Sequence, residues 1–128
     1  MDYFEFDKYN SEAKEKWGNS EAYIEHTERT KGYSKDKWNQ LAQEMNDIFV
    51  EFTKCMKNGL NSSSKEVQCL VESLQKHITK NYYNCTKDIL FGLGQMYVAD
   101  ERFKRNIDKS GEGTAVFVKE AIEVYCSK

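Results

Sequence analysis

The chain has 128 residues, no proline, and 19 Lys plus Arg against 21 Asp plus Glu, for a formal net charge of -2. That length suits one domain burying roughly two-thirds of the surface its unfolded form exposes, and the interspersed, near-balanced charges exclude a basic nucleic-acid-binding face on this chain. No run reaches the ~18 apolar residues of a membrane span, and the opening MDYFEFDKYN is acidic and aromatic rather than signal-like, so a cytoplasmic location is expected.

Apolar residues recurring at three and four predict an all-α fold. Residues 8–33 read as two short helices, KYNSEAKEKW and SEAYIEHTERTK, broken at Gly18-Asn19, with Ser20 as a cap and Glu25 and Arg29 at a favourable spacing. Their apolar side chains are few: Tyr9, Ala13, Trp17, Ala22, Tyr23, Ile24 and Tyr33. Burying these contributes on the order of 10 kcal/mol, whereas ordering the segment costs roughly 1 to 2 kcal/mol per residue before hydrogen bonds. Residues 1–33 are therefore expected to be a helical cover, partly mobile alone, that orders over a ligand on a core of residues 34–128.

SKDKWNQLAQEMNDIFVEFTKCMKNG is the clearest helix. Ser34 can cap it, Asp36 suits its first turn and Gly59 follows its end. Trp38, Leu41, Ala42, Met45, Ile48, Phe49, Phe52 and Met56 form one stripe, which makes this helix the spine of the core. After the loop LNSSS, Ser63 and Glu66 have capping-box spacing, and Val67, Leu70, Val71, Leu74 and Ile78 form a second stripe ending near Tyr82 and Tyr83. Thr86 and Asp88 open a third helix carrying Ile89, Leu90, Leu93, Met96 and Tyr97, and Asp100 caps a short fourth with Phe103 and Ile107. KSGEG is a loop, and Thr114 starts a final helix that closes the core with Phe117, Val118, Ala121, Ile122 and Tyr125.

The stretch YYNCTKDILFGLGQMYVADERF, residues 82–103, departs from an ordinary helix. Each glycine in a helix interior costs about 0.5–1 kcal/mol relative to alanine. Gly92 and Gly94 therefore mark a place where another backbone or a flat ligand comes close, or where helices pack tightly. Of the two tyrosines at the helix junction, one ring can enter the core while the other faces a groove. Cys85, just ahead of a helix start, would have its thiolate favoured; the competing reading is an inert small residue in a turn. His77, one position before the Ile78 stripe residue, is either a boundary residue or a ligand contact, and Trp17 on a polar helix has no obvious core to enter. The four cysteines show no zinc-site spacing, three lie on predicted apolar helix faces, and buried thiols are expected rather than disulfides or a metal site. Neither histidine sits in a catalytic motif, and no phosphate-cradling loop or HExxH is present, so an enzyme is not expected.

Together, Trp17-Gly18, Ala22-Tyr23, Gly32-Tyr33-Ser34-Lys35-Asp36-Lys37-Trp38, Tyr83-Asn84-Cys85, the run from Gly92 to Phe103, Asn106-Ile107-Asp108, Ala121-Ile122 and Tyr125 resemble the TipA-type antibiotic-recognition domain, the effector module of certain MerR-like bacterial transcription activators. The resemblance spans about Tyr9 to Tyr125, and GLGxMYVxDxRF is its most specific part. It implies a globin-like helical fold without haem, a broad groove for bulky antibiotics such as thiopeptides, and N-terminal helices that order on binding. It also implies full-length dimers that read DNA through a domain preceding this module; the domain alone is expected to be a monomer with no nucleic-acid contact and no cofactor. Some relatives trap a dehydroamino acid through a cysteine and carry a second cysteine two helical turns after the one matching Cys85. Here that place is Gly92, so reversible binding is expected.

The ligand-binding residues expected on these grounds are Trp17, Tyr23, Trp38, Met45, His77, Tyr82, Tyr83, Cys85, Leu90, Gly94, Tyr97 and Phe103. Rival readings are a standalone antibiotic-sequestering protein, a tetrapyrrole protein using His77, and a helical protein-interaction module.

Overall fold

The structure, a computed structural model, describes residues 21–128, so the predicted helix over 8–17 and the Ser20 cap lie outside the described residues. Six α-helices follow in order: α1 (Glu21–Thr30), α2 (Lys35–Lys57), α3 (Lys65–Asn81), α4 (Lys87–Ala99), α5 (Glu101–Ile107) and, after a 3-10 turn at Asp108–Ser110, α6 (Thr114–Cys126). No strand occurs among the described residues, in agreement with the all-α expectation.

Side-chain caps set most of these boundaries. Ser34 Oγ accepts from the Lys37 N–H at 3.1 Å, Thr86 Oγ1 from the Ile89 N–H at 3.2 Å, and Asp100 Oδ1 from the Arg102 N–H at 2.9 Å. Gly59 takes the left-handed conformation just past α2, with φ of 80°. One start differs from the sequence reading. Ser64 rather than Ser63 caps α3, because Asn61 Oδ1 accepts from both the Ser63 N–H (3.0 Å) and its hydroxyl (2.7 Å) and so keeps Ser63 in the loop. Thr114 opens α6, but the capping oxygen is upstream: Asp108 Oδ1 accepts from the Ala115 N–H at 2.8 Å.

α6 lies at the centre, packed by α2, α3, α4 and α5. It can serve several neighbours because Thr114, Ala115, Phe117, Val118, Ala121 and Ile122 are all buried, a stripe of adjacent pairs wide enough for more than one contact face. Gly94 of α4 meets this stripe: a Cβ there would stand 3.2–3.4 Å from Ile122. The close approach read from the two glycines is thus helix packing at Gly94, while Gly92 is exposed with nothing within 4 Å of the same test position. Several interior polar groups are tied in: the Thr53 and Thr114 hydroxyls are 2.8 Å apart and Gln68 Nε2 donates to the Ser62 and Ala121 carbonyls. The cysteines correct the expectation of buried thiols: Cys85 is buried, Cys55 and Cys126 are half-buried and Cys69 is exposed.

Candidate ligand site

The C-terminal end of α3 is where several expected site residues converge. A helix end leaves its last carbonyls without intrahelical donors, and here the N-terminal part of the chain supplies them. Tyr33 Oη donates to the Asn81 carbonyl at 2.6 Å, and Arg29 Nη1 donates to the Thr79 carbonyl. Its positive charge also suits the negative end of the helix dipole. Glu25 is ion-paired with Arg29 at 3.2 Å and accepts from the Asn84 N–H at 3.0 Å. The turn after α3 is held from beneath as well: Cys85 N–H donates to Thr79 Oγ1, Gln75 Nε2 donates to the Cys85 carbonyl, and Tyr125 Oη donates to Gln75 Oε1.

Rings from four segments meet at this corner. Tyr33, in the link between α1 and α2, packs edge-on against Trp38 with centroids 5.4 Å apart. Trp38 faces Tyr82 at 6.0 Å and 31°, and Tyr82 lies 5.9 Å from the His77 imidazole. Lys37 Nζ stands 5.6 Å from the Tyr33 centroid, within cation–π reach. Tyr82 is buried and Tyr83 half-buried, so the tyrosine pair divides into one ring inside and one at the rim. Burial raises the Tyr82 phenol above its ordinary pKa and keeps it neutral.

His77 completes the wall. Its side chain is only 10% exposed, and neither ring nitrogen has a hydrogen-bond partner among the described residues. Glu44 Oε1 lies 3.4 Å from Nε2, a charge contact at the limit of reach rather than a well-formed hydrogen bond. Burial pushes the imidazole pKa down, against a smaller opposing pull from Glu44.

The remaining expected residues fall elsewhere. Leu90, Gly94, Tyr97 and Phe103 are interior; Tyr97 packs edge-on against Phe49 and beside Phe103, both at 5.6 Å. Met45 is partly buried against the core. Trp17 lies outside the described residues, as does the side chain of Tyr23 on α1. Cys85 is buried, and desolvation, with Cys126 as a lesser cause, pushes its thiol up to about 12, which favours the inert reading over the reactive one. Sequence reasoning did not single out Glu44, Gln75 or Thr79. Their signal exists only once α1, α2 and the turn are brought to one corner. No cluster of metal-ligating side chains occurs among the described residues, and no helix among them is long and apolar enough to cross a membrane.

Residues 9–125 match the family model of the TipAS antibiotic-recognition domain, and the chain belongs to that family. It is 35% identical over 119 residues to the HTH-type transcriptional activator TipA of Streptomyces coelicolor, covering 93% of this chain and 47% of that protein. To the HTH-type transcriptional activator mta of Bacillus subtilis it is 40% identical over 118 residues, covering 92% and 45%. The chain thus spans about half the length of the curated relatives it matches. Among solved structures, TipAS of Streptomyces lividans in complex with nosiheptide, described as part of a thiopeptide antibiotic multidrug resistance system, matches with a TM-score of 0.84 at 34% identity over 94% of this chain and 85% of that one. The antibiotic-binding domain of a TipA-class multidrug resistance transcriptional regulator matches with a TM-score of 0.64 at 31% identity over 70% and 96%. The all-α architecture agrees with these relatives, and a globin-like arrangement is consistent with it.

Proposed function

We propose that this chain is the ligand-sensing domain of a MerR-like, drug-responsive transcription activator and binds bulky antibiotics of the thiopeptide kind reversibly. The observation that carries this reading is its likeness, over nearly the whole chain, to a domain solved with nosiheptide. Tyr33, Trp38 and His77 form the ligand-facing surface, with Tyr82 buried behind them, Tyr83 at the rim and Met45 further along α2. Rings offer large contact area at low rotamer cost, which suits ligands of varied chemistry.

Leu90, Gly94, Tyr97 and Phe103 act from behind, fixing α4 in the core, rather than by touching ligand. Trp17 and the Tyr23 side chain, expected in the cover, lie outside the described residues; the described part of that cover, α1, closes over the ligand. Reversibility follows from Cys85, whose buried, neutral thiol is a poor nucleophile. In the whole activator, a cytoplasmic dimer with its own DNA-binding domain, ligand shifts the population toward the covered form, and that form promotes transcription. The isolated domain is a monomer without cofactor or catalytic activity.

Calorimetric titration with nosiheptide tests this directly. Saturable one-to-one binding with no mass change of the protein is expected; no heat and no thermal shift at high micromolar ligand overturns the reading.

A further inference from the structure

His77 is held in a state that packed interiors ordinarily avoid. Nine-tenths of its side chain is buried, yet neither ring nitrogen is hydrogen-bonded within the described chain, although buried polar side chains are almost always paired. The groups that face it are Glu44 and Lys37 from α2, Lys80 from its own helix and Tyr82 from the turn. Of these, Glu44 is the carboxylate acceptor, and one of its oxygens is engaged elsewhere: Oε2 accepts from Gln40 Nε2 at 3.3 Å while Oε1 hovers 3.4 Å from the ring. The Glu44 side chain is 42% exposed, so it can turn into solvent by a single rotamer change without disturbing the core. Such a turn bares Nε2 at the corner where Trp38 and Tyr82 pack together.

A flat aromatic face bordered by one convergent polar group is how sites fix both the plane and the rotation of a ring-shaped ligand. We propose that His77 is the polar anchor of this site, its imidazole exchanging a hydrogen bond with the edge of a flat heteroaromatic ligand that rests against the half-buried Trp38 once Glu44 swings aside. This rests on the ligand-sensing reading above and adds what that reading lacks, the chemistry the ligand presents at its rim: an O–H, an N–H or a ring nitrogen. Among the described residues the anchor has no well-formed hydrogen bond, and the ligand's rim supplies one. Stability and affinity therefore respond to its removal in opposite directions.

The test compares the full chain with H77F and H77Q, using nosiheptide as the probe. H77F removes both nitrogens but keeps a flat ring beside Tyr82, whereas H77Q keeps a donor and an acceptor. Without ligand, H77F is expected to melt at the same temperature as the parent or higher; by titration calorimetry it binds nosiheptide about tenfold more weakly, and H77Q recovers part of that loss. The His77 ring nitrogens move in 15N spectra on addition of nosiheptide. An H77F protein that melts lower and binds as tightly as the parent makes His77 a packing residue and overturns the anchor, as do equal affinities in all three proteins. If the parent itself fails to bind nosiheptide, the ligand-sensing reading falls and the anchor with it; binding by the parent together with unchanged H77F affinity sinks the anchor alone.

Discussion

A thiol one residue ahead of a helix cap meets two opposing effects. The positive end of α4 favours the thiolate by about 0.3–1 kcal/mol, but Cys85 is 2% exposed and its pKa is pushed up to about 12, so desolvation wins. The exposed thiol is Cys69. Maleimide labelling at pH 7.5, mapped by peptide mass, should therefore modify Cys69 first and Cys85 last; early modification of Cys85 contradicts its burial. The His77 pKa is moved the other way, below its ordinary 6.5. The unfolded chain then binds a proton at a higher pH than the folded one. The stability tied to this residue is accordingly full above about pH 6.5 and lost as pH falls toward the folded-state value. Urea unfolding between pH 7.5 and 5 should show that decline in the parent and a shallower one in H77F; identical slopes would mean other groups set it. The two glycines give a matched pair. Gly92→Ala should stabilise by about 0.5–1 kcal/mol, because the helix gains alanine propensity and its Cβ meets open space. Gly94→Ala should be destabilising, because Ile122 must give way, and its cost should shrink when Ile122→Val removes the nearest methyl. A stabilising G94A would show that Ile122 relaxes freely.

At the scale of elements, α1 differs in kind from the rest. α2 to α6 each contribute buried apolar side chains, whereas Ile24, the apolar side chain described on α1, is 54% exposed. Among the described contacts of α1 with the body are those of Glu25 and Arg29, on the Asn84 N–H and the Thr79 carbonyl. Exposed polar contacts of this type are worth roughly 1 kcal/mol or less each, too little to hold a helix down as firmly as a packed stripe. Amide exchange should accordingly be much faster in Glu21–Thr30 than at buried positions of α2 such as Leu41 to Thr53, and Arg29→Ala should speed it further; equal protection would show that α1 is anchored by more than these contacts. This also explains what could be read in advance. Helices and most caps were legible because their determinants are local: Ser34, Thr86 and Asp100 each bond an N–H two or three residues on. The start of α3 slipped by one residue because Asn61, outside the capping motif, decides which serine is free. The ring wall was legible only in part. Trp38 and Tyr82 announce themselves as aromatics, but Tyr97 and Phe103 do so equally and are interior, and the pairing of Glu44 with His77 joins residues 33 positions apart.

Across the whole molecule, α6 makes the body one cooperative unit, since α2, α3, α4 and α5 all pack on it. The ring wall sits at the edge of that unit, where the stable end of α3 meets the lightly held α1. A ligand resting there touches both, so its binding energy stabilises the body and also the closure of α1 against Thr79–Asn84. These contributions separate experimentally. At 100 times its dissociation constant, a ligand specific for the folded state adds about 2.7 kcal/mol to global stability wherever it binds. Only a ligand at this corner adds protection preferentially to α1, because only there does the bound state need Glu25, Arg29 and Tyr33 in place. Nosiheptide at that excess should therefore raise the urea midpoint and, in the same sample, slow exchange in Glu21–Thr30 by a larger factor than in α6. A rise in midpoint accompanied by uniform protection, with α1 exchanging no more slowly than before, would place the ligand away from the ring wall.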